Sequence, residues 1–254
     1  MNIGITNLIT GIFVGGAAGY LGNLMVLRRM SLVGDALSHV ALPGIALAIL
    51  LNINPFIGAF TFLFLATVGI WALEKKTTLP TDAIVGVFFT ASLSIGILIT
   101  PEMELLEALF GDISKITETE AIISIILSIV VIYLTKKISR NEILGIISKD
   151  LAKSEGVNIS RTNFIYLIMV ALVVSLGIKI AGTLLMGALV IVPAAAAKNL
   201  SNRFDLYSFL SLLFGSLSAV IGMLLVEKTN LPPGPLIILS SCAIFLVSLI
   251  FKKD

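Results

Sequence analysis

An all-α fold, a polytopic transmembrane helical bundle, is predicted for this 254-residue chain by three observations. Hydrophobic residues make up 57% of it and charged residues only 13%, against roughly 25% charge in a soluble domain. So little polar surface could not cover a water-soluble body of this size, and the mean hydropathy of +1.09 agrees that the solvent is lipid. Apolar stretches long enough to cross a bilayer, roughly 17–25 residues, recur along the whole length. No soluble domain, low-complexity tract or short-period repeat separates them, so residues 1–254 form one transmembrane unit.

Nine stretches qualify: 7–27, 32–51, 56–73, 83–100, 119–135, 162–178, 180–197, 206–226 and 235–251. The fifth to seventh are near the lower length limit. From 162 to 197 only Lys179 and Gly182 interrupt the apolar run, so eight spans with a broken or re-entrant helix are an open alternative. No Lys or Arg precedes Arg28, which removes the basic leader of a signal peptide and makes the first stretch a span.

Orientation follows from the excess of basic residues on the cytoplasmic side of membrane proteins. Nine crossings with the N-terminus outside and the C-terminus inside place every one of the 17 Lys and Arg in the cytoplasm except Lys115, Lys179 and Lys228. Asn2 is then external and Lys253 internal. The loop bearing Glu102, Glu104, Glu107, Asp112, Glu118 and Glu120 falls outside, either as a plain solvated loop or as a vestibule that attracts cations. The net charge of +2 gives no reason to expect nucleic acid as a partner. Membrane lipid is the expected surrounding. The lone Cys242 excludes an internal disulfide and a CxxC metal site, and reads as a small core residue. No GxxxxGK[ST] loop occurs, so the chain does not hydrolyse ATP by itself.

Three features carry finer information. Gly11, Gly15 and Gly19 recur every fourth residue in the first span and share a helical face, a pattern that admits another helix closely, from this chain or a second subunit. Asp35 and His39, also four apart, share a face of the second span. Asp35 is the only acid deep within a predicted span and His39 the only histidine. At 1.5 Å per residue His39 lies roughly 15 Å beyond Arg29, near the midplane of a ~30 Å hydrocarbon layer. A charged Asp there costs about 2.5–3.5 kcal/mol on insertion scales, so it should face a cavity and a partner. Pro43 has no N–H to give the carbonyl of His39, so a carboxylate, an imidazole and a freed carbonyl would lie together on irregular backbone. A metal pathway and a structural Asp–His pair both fit; for a metal, Asp and His without Cys suit Mn²⁺, Fe²⁺ or Zn²⁺. The polar stretch 136–161 is long enough to present a helix to a cytoplasmic partner.

The run Leu27-Arg-Arg-Met-Ser-Leu-Val-Gly-Asp-Ala-Leu-Ser-His39 followed by Leu42-Pro-Gly44 resembles the signature of the membrane permeases of zinc/manganese-importing ABC transporters. Further stretches are similar in the same order: Asp82-Ala-Ile-Val-Gly86, Leu109-Phe-Gly-Asp-Ile113, Ala181-Gly-Thr-Leu-Leu-Met-Gly-Ala-Leu-Val-Ile-Val-Pro-Ala194 and Leu231-Pro-Pro-Gly234. The resemblance covers essentially the whole chain. It implies a transport subunit in the cell membrane that does no covalent chemistry and holds no permanent cofactor, its cargo being a divalent ion (Zn, Mn or Fe). It also implies three partners: a second copy of the chain, a cytoplasmic ABC ATPase and an external or periplasmic metal-binding protein. Asp35 and His39 match positions of metal passage, and Pro43 and Pro193 are expected helix breaks.

Ser148, Lys149, Asp150, Leu151, Ala152, Lys153, Ser154, Glu155, Gly156, Val157 and Asn158 are similar to the family's coupling segment, which docks on the ATPase; Ser154 and Glu155 depart from its usual apolar pair. A gradient-driven secondary transporter expects further intramembrane acids, and an intramembrane enzyme a second histidine or a Ser/His/Asp set in one plane. A siderophore- or vitamin-type ABC permease lacks the Asp–His motif. These remain the alternatives.

Overall fold

The structure, a computed structural model, describes residues 4–100, 108–113, 116–229 and 231–252. Asn2, Glu102, Glu104, Glu107, Lys115 and Lys253 lie outside the described residues. The regular elements are helices: α1 (Ile5–Leu27), α2 (Ser31–Val40), α3 (Leu42–Leu50), α4 (Pro55–Lys76), α5 (Thr81–Ile99), α6 (Glu118–Ile147), α7 (Lys149–Ser154), α8 (Ile159–Ala181), α9 (Met186–Leu200), α10 (Phe204–Thr229) and α11 (Pro233–Ile250). Among the described residues eight segments are long and apolar enough to span a bilayer, with α2 and α3 together making one of them; α9 is shorter.

Contacts between helix ends fix the directions. At one end the Asn7 side chain donates to the Ile113 carbonyl at 3.1 Å, and Glu120 accepts from Asn54 at 2.7 Å and Lys179 at 2.6 Å. At the other end Arg28 pairs with Glu142, Asn163 donates to Glu74 at 2.8 Å, and Asn199 donates to Ser248 at 2.9 Å. Successive segments therefore alternate in direction, and α9 makes its own passage between α8 and α10. Among the described residues eight segments are of spanning length and α9 is shorter, with α1 starting at the end opposite to that where α11 finishes.

Three boundaries differ from the sequence expectation, each for a local reason. The fifth span, expected over 119–135, continues to Ile147, because a helix satisfies its own backbone whether its side chains face lipid or water. The break between the sixth and seventh falls at 182–185 rather than at Lys179. Gly182 takes φ +76°, where a Cβ would collide with the Leu109 carbonyl, and the freed N–H groups of Thr183 and Leu184 donate to the carbonyls of Ala108 and Leu109 at 2.9 and 3.1 Å. Pro193 was expected to break its helix and does not. It sits inside continuous α9, losing one backbone bond in a helix enclosed by α1, α10 and α11.

The centre of the bundle is α1, lined on one side by α10 and on others by α6, α8 and α9. Gly11, Gly15 and Gly19 all face α10 of the same chain. A Cβ on Gly15 would lie 2.6 Å from the Gly215 carbonyl oxygen, one on Gly19 would meet the Ser211 carbonyl, and one on Gly11 the Met223 side chain. Polar pins hold the register: Asn23 donates to Ser208 at 2.8 Å, Tyr207 to the Asn23 carbonyl at 3.1 Å, and Ser216 to the Ile12 carbonyl at 2.9 Å. α5 is the least buried span.

Because backbone meets backbone at Gly19, Gly19→Leu should lower stability by about 1–3 kcal/mol or more, the usual cost of overpacking. Thermal unfolding in detergent, followed by size-exclusion chromatography, should show an earlier transition. The change Ile126→Ala, at an outward residue of α6 that is 54% exposed, should leave the transition in place.

Candidate functional site

Asp35 and His39 stand on α2, which begins at Ser31 directly after the turn that ends α1. The expected helix break is present: α2 ends at Val40, Ala41 is the junction, and Pro43 is in the first turn of α3, where a missing N–H is harmless. The His39 carbonyl, deprived of an N–H from Pro43, lies at this junction with the Ala41 N–H turned toward it.

His39 is 8% exposed. Its ring packs against Phe89 of α5, centroids 5.4 Å apart, and its Nδ1 has no hydrogen-bond partner among the described residues. Asp35 is half-buried, and no hydrogen bond or ion pair occupies its carboxylate among the described residues. Gly187 of α9 presses on its backbone so closely that a Cβ there would collide with the Asp35 Cα. An unoccupied carboxylate and an unpartnered imidazole nitrogen, one turn apart, are what a cation ligand pair requires. No group of three or more His, Cys, Asp or Glu gathers among the described residues, so one chain offers two side-chain ligands.

Phe89 and Gly187 were not singled out in the sequence. Neither residue type points to a cation site, and both owe their place to how α5 and α9 pack on α2. Glu142 was missed because it lies in the part of α6 beyond the expected span end; it is 2% exposed and pairs with Arg28.

A separate cavity of about 340 Å³ opens near the Ile113 end, among α3, α4 and α8, lined by Ile45, Ile49, Phe56, Ala59, Asp112 and Lys179. Neither Asp35 nor His39 lines it. The Lys179 ammonium is held by Glu120, so its charge is neutralised locally.

At the opposite end, residues 148–158 form a compact hairpin between α6 and α8. Ser148 caps α7 by accepting from the Leu151 N–H at 3.3 Å, and Asn158 caps α8 by accepting from Arg161 at 3.0 Å. Gly156 has φ +75°, with Val157 N–H reaching the Ala152 carbonyl at 2.9 Å, the pattern of a left-handed helix stop. Lys149, Asp150, Leu151, Lys153, Ser154, Glu155, Gly156 and Asn158 are exposed, Val157 half-buried and Ala152 buried. With Ile147 70% exposed next to it, the hairpin offers apolar and charged groups together.

The ABC 3 transport family matches residues 2–252 of the chain. The manganese transport system membrane protein MntC of Listeria monocytogenes is 31% identical over 248 residues, covering 96% of this chain and 89% of that one. The high-affinity zinc uptake system membrane protein ZnuB of Buchnera aphidicola is 33% identical over 247 residues, covering 94% of each. Among solved structures, PsaBC from Streptococcus pneumoniae in complex with Fab superposes with a TM-score of 0.86 at 30% identity, over 98% of this chain and 91% of that one.

The hairpin geometry generates its own expectation. A Cβ on Gly156 meets nothing within 4 Å, so Gly156→Val is opposed by backbone conformation alone, about 1–2 kcal/mol. Amide hydrogen exchange within 151–157 should quicken by roughly tenfold, while α1 and α8 keep parental protection.

Proposed function

The chain belongs to the ABC 3 transport family, and from that premise we propose how this permease subunit of a manganese- or zinc-importing ABC transporter works. The observation that carries the reading is the Asp35–His39 pair: a carboxylate and an imidazole with unfilled bonding capacity in a span whose other polar groups are largely satisfied. Asp35 supplies negative charge that attracts a divalent cation, and neutral His39 supplies a borderline nitrogen ligand. With no thiolate, the donors suit Mn²⁺, Fe²⁺ or Zn²⁺; relatives named for manganese and for zinc favour the first and last of these.

Two side-chain ligands bind weakly, which suits an ion that must leave as readily as it enters. Water or the same pair from a second copy completes the shell. α5 supports a second copy as neighbour: it touches His39 through Phe89, while Thr90, Ala91 and Ser94 on its outward side are exposed. Small and hydroxyl-bearing residues facing away from the bundle suit a partner helix or an aqueous path better than lipid.

Residues 148–158 are the docking segment for a separate cytoplasmic ATPase, and a metal-binding protein delivers the ion at the Ile113 end. The basic excess around 136–161 puts that hairpin in the cytoplasm, with α1 starting outside and α11 finishing inside. ATP binding and hydrolysis on the partner then switch the bundle between outward- and inward-open states.

Asp35→Asn keeps shape but removes the charge, and His39→Ala removes the imidazole. Reconstituted with the ATPase, both variants should assemble and hydrolyse ATP yet lose tenfold or more of Mn²⁺ or Zn²⁺ uptake, an effect of about 1.4 kcal/mol or greater. Parental uptake by an assembled variant would remove that residue from the path. A cysteine placed at Ser154 should resist membrane-impermeant thiol reagents in intact cells; ready labelling would reverse the orientation.

A further inference from the structure

The ion pair between Arg28 and Glu142 has no part in metal binding, yet it occupies a singular position. Glu142 is on α6, which runs into the 148–158 hairpin, and its side chain is 1% exposed. Asn163 is on α8, which leaves the hairpin, and its Oδ1 accepts from Arg28 Nη1 at 2.7 Å. One guanidinium thus grips both arms of the hairpin within the turns nearest to it. Tyr166, one turn further along α8, lies under the same guanidinium at 4.8 Å. Asn163 extends the cluster by donating to the Glu74 carboxylate of α4 at 2.8 and 3.1 Å.

Arg28 is equally well placed on its other side. It is the residue that ends α1, and α2 begins three positions later at Ser31. The link between them is tight: Arg29 has φ +59°, and the Met30 N–H returns to the Met25 carbonyl at 3.0 Å. Asp35 follows one turn into α2. A tilt of the hairpin that moves the facing turns of α6 and α8 must therefore carry Arg28, and through a short stiff link the start of the helix that holds Asp35 and His39.

We propose that Arg28 and Glu142, with Asn163, form the joint that transmits movement of the ATPase-docking hairpin to the metal-carrying helix; the proposal rests on the transport reading above. Charge suits this task. A bidentate-capable, planar guanidinium keeps several directional bonds at once, so the two arms move Arg28 as a unit, whereas apolar contacts would slide. A pair needed only to hold the fold would work equally well as two packed apolar residues, because such replacement of buried ion pairs is often neutral or stabilising. That difference makes the two roles separable.

The test uses the permease–ATPase complex in proteoliposomes, with Mn²⁺ as the probe and Mn²⁺ moved per ATP hydrolysed as the reading. Arg28→Met combined with Glu142→Met removes both charges together, so no buried charge is left unpaired, and takes a donor only from the half-buried Asn163 Oδ1. This double variant should assemble, keep the parental thermal transition and continue to hydrolyse ATP. Its Mn²⁺ moved per ATP should fall by about tenfold, within the span of known site-to-site couplings. Arg28→Lys, which keeps the charge, should recover part of the ratio. A double variant with the parental ratio overturns the joint, and so does one that no longer assembles, since the pair would then serve the fold. Failure of the parental complex to move Mn²⁺ or Zn²⁺ would overturn the transport reading instead.

Discussion

Every polar group taken into the membrane must find its partner inside the protein, because hydrocarbon offers none. That constraint decides most of what distinguishes this bundle from a plain stack of apolar rods. Where the α8–α9 connection leaves the helical path, bonds from Thr183 and Leu184 to the carbonyls of Ala108 and Leu109 take up the released N–H groups. Buried hydroxyls such as Thr10, Ser211 and Ser240 donate to carbonyls one turn back. Buried hydroxyls of Thr67, Ser128 and Tyr166 also lack a partner among the described residues; what sets α2 apart is a carboxylate and an imidazole nitrogen, both without a partner there, one turn apart on one face.

The same constraint explains how the site can be both held and movable. Glycines let α1 and α10 approach to backbone contact, and polar pins between them set the register. α2 belongs to that rigid centre through Gly187 of α9, yet it is jointed at both ends, by the Arg28–Met30 turn and by the Ala41–Pro43 junction. A short helix between two joints can change its tilt without breaking the backbone bonds on either side. On the hairpin side the only charged contact reaching the start of this helix among the described residues is the Arg28 cluster. The Asp35–His39 pair and the 148–158 hairpin, far apart in the chain, are thus joined by few parts.

How much was legible in the sequence depended on the kind of physics. Apolar length and the placement of Lys and Arg are one-dimensional properties, so the all-α class and the multi-pass character follow from them directly, while eight or nine passages stayed open. Asp35 and His39 were legible because ionisable groups are rare in spans, and Gly11, Gly15 and Gly19 because their period matches a helix face. Pro43 was legible as a junction through its missing N–H. Span ends were less legible: α6 runs on to Ile147 because nothing in a helix backbone obliges it to stop at the lipid boundary.

The sequence by itself determined that this chain is a multi-pass membrane protein and that Asp35 and His39 share one helical face, because each depends on composition or on spacing along a single helix. The tertiary structure alone decided that the glycine face serves α10 of the same chain, that Pro193 is carried inside an unbroken helix, and that Phe89 and Gly187 frame the pair. It also decided that Glu142 meets Arg28. These outcomes depend on which helices become neighbours, and neighbours are chosen by the close packing of surfaces that lie far apart along the chain.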